Sequence, residues 1–114
     1  MKKQKSFDDF WKLLIKELSA KKTIRNWTQY SEYIGEDFTA IYIKAPNRKE
    51  GGYIEVDPPS AIKTQKVKEH SFKNVYPLWD QYLNGRKLRR DLRDITRHSK
   101  YIISIMHQFD YFMR

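Results

Sequence analysis

The spacing of apolar residues changes twice along this chain, and that alternation constrains the fold more than any other feature of the sequence. Phe7, Phe10, Trp11, Leu14, Ile15 and Leu18 recur three and four apart, the spacing that puts apolar side chains on one face of an α-helix. Ser6 stands in the N-cap position, and Asp9 three residues later takes the place of the capping-box acid. A short hydroxyl side chain there accepts an amide of the first turn, and acids in that turn complement the helix dipole. The spacing predicts a helix from about Phe7 to Ala20, with Lys12, Lys16 and Glu17 in water.

From Thr23 to Val67 the period becomes two. Phe38-Thr39-Ala40-Ile41-Tyr42-Ile43-Lys44 alternates, with Phe38, Ala40 and Tyr42 on one face, as expected of a half-buried strand. Gly35-Glu36-Asp37 precedes it and reads as a turn from an earlier strand around Asn26 to Tyr33. Tyr53-Ile54-Glu55-Val56 is a further short strand. The polar stretch from Ala45 to Gly52, ending in two glycines, makes the pair an antiparallel hairpin. Asp57-Pro58-Pro59-Ser60 stops the strand, because proline cannot donate to a ladder. Ile62 to Val67 reads as another strand, and Lys63, Lys66 and Lys68 suit an exposed edge.

The last third returns to helical spacing. Asn74 reads as a cap with Pro77 in the first turn, followed by Leu78, Trp79, Tyr82 and Leu83 and a stop at Asn84-Gly85. Tyr101 to Phe112 is apolar on nearly every side and is expected to be buried. With 39% hydrophobic and 15% aromatic residues, the chain has material for one core, and 114 residues suit a single domain over residues 1 to 114. Trp11, Trp27 and Trp79 are expected to pack in that core or on the sheet. The expected class is therefore α+β: an N-terminal helix, an antiparallel sheet of three or four strands, and two or three C-terminal helices packed on it.

Charge singles out one segment of this frame. The chain carries 23 Lys and Arg against 14 Asp and Glu, a net +9. Residues 86 to 114 hold eight of those cations and three of the acids, so more than half of the excess lies in the last quarter. A helix from Arg86 to Lys100 would put Arg86, Arg90, Arg93, Arg97 and Lys100 on one side and Leu88, Leu92 and Ile95 on the other. A field of that sign attracts polyanions such as DNA or RNA.

Two backbones are compatible with this segment. In one, the helix breaks at Arg97-His98 and Ser99 caps a second helix, leaving Leu92, Ile103 and Met106 as core positions. From Arg89 to about Gln108 that arrangement resembles the DNA-binding helix-turn-helix of bacterial repressors. The resemblance implies that Ser99, Lys100, Tyr101 and Ser104 face bases while Arg89, Arg90 and Arg93 meet phosphates. The chain departs from that motif in having Arg93 where a small residue is usual, Arg97 in place of the turn glycine, and His98 in place of an apolar residue. In the other backbone a single helix runs from about Lys87 to Phe112. Leu88, Leu92, Ile95, Ser99, Ile102, Met106, Phe109 and Met113 then form a heptad seam that covers the sheet or pairs with a second copy. The arginines are in that case a solvated face bridged by Asp91 and Asp94.

Asn26-Trp27-Thr28, Phe38 to Tyr42 and Lys100 to Ile105 together resemble small bacterial proteins of unassigned activity, including those carried on integron gene cassettes. That resemblance implies a compact α+β protein with an interaction or accessory role.

No residue pattern names a reaction. His70, His98 and His107 show no i,i+4 spacing for a metal. Glu36, Asp37, Glu55 and Asp57 lack the lysine of a restriction-nuclease pattern and suit turns and caps. A metal-free ribonuclease of the kind found in small basic toxins would need only a His or Tyr and a cation for the phosphate. There is no glycine-rich phosphate loop and no nucleophile elbow. With no cysteine and no long apolar run, the expectation is a cytoplasmic protein without cofactor, metal or membrane segment. The expected function is non-enzymatic binding of DNA or RNA through Arg86, Arg89, Arg90, Arg93, Arg97, Lys100 and Tyr101. The alternatives are a homodimeric or other protein-interaction role and the ribonuclease.

Overall fold

The computed structural model describes residues 4–27, 36–44, 52–59, 63–87 and 89–114. Helix α1 spans Phe7–Glu17, and the Asp9 amide donates to Ser6 Oγ at 3.3 Å, closing the expected N-cap. Four strands follow: β1 Lys22–Ile24, β2 Phe38–Ile43, β3 Tyr53–Asp57 and β4 Gln65–Lys68. They form one antiparallel sheet in the order β1-β2-β3-β4. Helices α2 Glu69–Val75, α3 Trp79–Leu83, α4 Arg89–Arg93 and α5 Ser99–Gln108 complete the chain, with 3-10 turns at Tyr76–Leu78 and Asp110–Met113. The α+β arrangement of an N-terminal helix, an antiparallel sheet and C-terminal helices is thus the one the periodicity predicts.

Strand register explains which sheet residues enter the core. Ala40 opposes Val56 and Tyr42 opposes Ile54, which in turn opposes Val67. Residues directly opposite across a ladder share a face, so these apolar side chains form a single inner layer. Ala40, Ile54, Val56 and Val67 are fully buried there. Lys66 and Lys68, on the alternate face of β4, are exposed on the free edge of the sheet, where positive charge discourages pairing with another chain. Gly52 precedes β3 because a Cβ at that position would overlap the Tyr42 phenol.

The opposite edge is closed by side chains from far along the sequence. The Arg25 amide donates to Gln108 Oε1 at 2.9 Å, and Gln108 Nε2 donates to the Thr23 carbonyl at 3.1 Å. One amide side chain on α5 therefore does for β1 what a neighbouring strand would do. Next to it, Ser104 Oγ accepts the Trp27 amide at 3.0 Å. The two chain ends also meet, since the Lys5 amide donates to the Met113 carbonyl and the Tyr76 phenol donates to the Lys5 carbonyl, both at 2.7 Å. Burial pushes the Tyr76 phenol up to about 12, which keeps that donor protonated.

Three expectations need correction. The strand after α1 is Lys22–Ile24, and Asn26 and Trp27 lie beyond it; the rest of the expected strand, residues 28 to 33, falls outside the described residues, as do Gly35, most of the 45–52 loop, Ser60, Ile62 and Leu88. The last strand is Gln65–Lys68. The helix expected to begin at Asn74 begins at Glu69, because Phe72, Val75, Tyr76 and Trp79 carry an apolar face through Pro77, which sits in a 3-10 turn. Trp79 is fully buried, Trp11 nearly so, and Trp27 is partly buried against the same core. Among the described residues no helix is long and apolar enough to cross a membrane.

Candidate nucleic-acid interface

The basic segment is launched by a local turn that the sequence encodes. At the end of α3 the Gly85 amide donates to the Tyr82 carbonyl and the Arg86 amide to the Gln81 carbonyl, at 3.3 and 2.8 Å. This pair of bonds is the Schellman closure, which requires the residue after the cap to be left-handed. Gly85 has φ 86°, a value that costs glycine nothing. The predicted stop at Asn84-Gly85 is where it should be, and it delivers Arg86 to the surface.

Helix α4 then holds Arg89, Arg90 and Arg93 for little more than one turn, anchored by a fully buried Leu92. The single helix from Lys87 to Phe112 does not form. The Ile95 and Thr96 amides both donate to the Leu92 carbonyl, and the His98 amide donates to Thr96 Oγ1 at 3.2 Å. A threonine hydroxyl that captures a nearby amide offers the backbone an alternative to the helical ladder. The chain turns through residues 94 to 98 and α5 starts at Ser99. Ile95, expected on the core side, is turned outward and is 39% exposed.

This break decides which side chains can meet a ligand. Arg86, Arg89, Arg90, Arg93, Arg97 and Lys100 are all exposed. The ion pairs within 4.0 Å among the described residues lie elsewhere, at Glu17 with Lys22 and at Arg114 with Asp80 and Asp110. Tyr101 is corrected: it is 8% exposed, with its ring edge-on to Phe38 at 5.2 Å. Ser99 does not cap α5, whose N-cap is His98, and both Ser99 and Ser104 are buried. Of the four residues placed against bases by the helix-turn-helix resemblance, Lys100 alone faces solvent. The basic surface is therefore a set of cations without aromatic or hydroxyl readers.

Beside the turn lies a feature that sequence reasoning missed, a cleft of about 270 Å³ lined by Lys66, Lys68, His70, Ser71, Ile95, Thr96, Arg97 and His98. His70 and His98 are 28 residues apart, so no local spacing could reveal it. Burial, and then the neighbouring Arg97, lower His98 below the usual imidazole value of 6.5. His107, whose ring stacks on Trp27 at 3.7 Å, is likewise lowered, chiefly by burial. Both are neutral in the folded protein at a pH where the unfolded chain begins to take up protons.

The sign of the resulting linkage follows directly. As pH falls below 6.5 the unfolded state binds protons that the native state does not, so stability present above that value is lost. The melting temperature should fall between pH 7.5 and 5.5, and less so in His98→Gln/His107→Gln. Equal pH dependence of the two proteins, read by thermal denaturation, would contradict this assignment.

Other chemistry is thin. Among the described residues no three His, Asp or Glu side chains gather where a metal could be held. Asp37 Oδ1 accepts the Asn26 amide at 3.2 Å, a turn role of the kind expected for that acid. Comparison with protein-family models, with curated proteins and with solved structures finds no match to this chain.

Proposed function

We propose that this protein binds nucleic acid, without chemistry of its own, through the basic surface that runs from Arg86 to Lys100. One observation supports the reading: six cations from a single stretch of chain are exposed together, on a short helix and turn that the Schellman closure and the Leu92 anchor hold in place. Cations so placed neutralise phosphates and release condensed counterions, which supplies affinity without sequence information. The burial of Tyr101, Ser99 and Ser104 favours backbone contact over base reading. The self-association reading has less behind it, since Leu13, Ile95 and Tyr111, the exposed large apolar side chains among the described residues, belong to different elements.

Fluorescence anisotropy with labelled DNA and RNA of unrelated sequences tests the proposal. If four to six phosphates are neutralised, affinity should fall roughly a hundred- to a thousandfold between 50 and 200 mM salt. Unrelated sequences of one type of nucleic acid should bind alike. Absent binding at 50 mM salt, or binding that salt leaves unchanged, would overturn it.

A further inference from the structure

We propose that the cleft between the β4 edge and the α4–α5 turn is a phosphate-ester binding site, built from Lys66, Lys68, His70, Arg97 and His98. Three separate parts of the chain converge on it: the edge strand, the start of α2 and the turn at residues 95 to 98. Of its eight lining residues, five are cationic or become so on protonation, two carry hydroxyls and none is an acid. A divalent cation would find no carboxylate there. A neutral sugar would lack acceptor side chains other than hydroxyls and imidazole. A phosphate, with up to two charges and three acceptor oxygens, can use donors from every side of the cleft, and Arg97 brings a guanidinium fork suited to it.

Size narrows the ligand. The volume of about 270 Å³ lies just below the roughly 300 Å³ at which pockets for drug-sized ligands begin. The cleft therefore accommodates a phosphate with its first substituents and leaves the remainder of a longer ligand outside. Arg97 belongs both to the cleft and to the exposed basic run, so a phosphate seated here would continue the line of contacts along a nucleic-acid strand. The inference rests on the cleft rather than on the arginine run. The groups that set its charge are Lys66 and Lys68 from β4, His70 from α2, and Arg97 and His98 from the turn. A bound phosphate draws protons onto the two imidazoles, and affinity rises as pH falls from about 7.5 to 5.5.

Imidazole NMR of the full chain, with inorganic phosphate as the probe, tests this. His70 and His98 should move to higher pKa at roughly 20 mM phosphate, well above a millimolar Kd, while His107, outside the cleft, stays fixed. Lys66→Gln/Lys68→Gln should weaken the response about tenfold, the cost of roughly 1.4 kcal/mol of binding, and its melting temperature should be unchanged because both lysines are exposed. Silent His70 and His98 overturn the inference, as does an equal response in the lysine variant or an equal response to acetate. A dinucleotide then separates the sources: a response matching that to phosphate assigns the site to the nucleic-acid backbone, and a response to monoesters alone assigns it to free or terminal phosphate. A silent cleft alongside intact salt-dependent oligonucleotide binding removes this inference and leaves the proposed function standing.

Discussion

Trp79→Ala should cost about 3–5 kcal/mol of folding free energy, the range for deleting a fully buried tryptophan. Trp79 has no exposed surface, lies 5.7 Å from the Tyr82 ring in a stacked pair and meets the Trp27 ring edge-on at 6.4 Å. Its indole Nε1 donates to Asp110 Oδ1 at 2.7 Å, and Arg114 holds both Asp110 and Asp80, at 3.0 and 2.7 Å. The substitution leaves a cavity and removes one donor from a partly buried carboxylate, on a background stability of about 5–15 kcal/mol. Urea denaturation should show the midpoint lowered by at least about 1 M with the slope unchanged. Trp79→Phe keeps most of the volume, and Arg114 still serves Asp110, so its cost should be nearer 1–2 kcal/mol. A midpoint shift below about 0.5 M for Trp79→Ala would contradict the packing described.

The parts of this fold that were legible in the sequence are those decided within a few residues. Ser6 caps α1 because a serine oxygen can reach an amide three residues on. Gly85 ends α3 because glycine tolerates the left-handed turn the closure needs. The β2–β3 hairpin follows from alternation on both sides of a polar loop. What could not be read was set by partners far away. β1 is only three residues long and depends on Gln108, more than 80 positions later, for its outer edge. The start of α2 was hidden because Lys66, Val67, Lys68 and Glu69 continue a strand-like alternation into the first helical turn.

The candidate site shows the same division. The exposure of Arg86, Arg89, Arg90, Arg93, Arg97 and Lys100 followed from charge. The fate of Tyr101 turned on the Thr96 hydroxyl: by capturing the His98 amide it ends α4 and resets the phase of α5. Tyr101 and Ser104 then face the core, and Ile95 faces solvent at the mouth of the cleft. A threonine inside an arginine-rich segment was the available signal, since Ser and Thr compete locally with helical hydrogen bonds.

The central claim is that the exposed cations of α4 and its flanking turns grip phosphates. Arg90→Glu/Arg93→Glu removes two such contacts and adds two repulsions on a surface where both side chains are exposed, so the fold should be retained, as circular dichroism and the melting temperature would show. Each phosphate contact contributes about 0.9 to the slope of log affinity against log salt on duplex DNA. The account predicts a slope shallower by about 2 in the double variant, and affinity at 50 mM salt lower by a hundredfold or more. The most direct measurement is that slope, determined for both proteins on the same duplex. A difference of about 2 is the predicted result, and parallel lines of equal affinity would contradict the account.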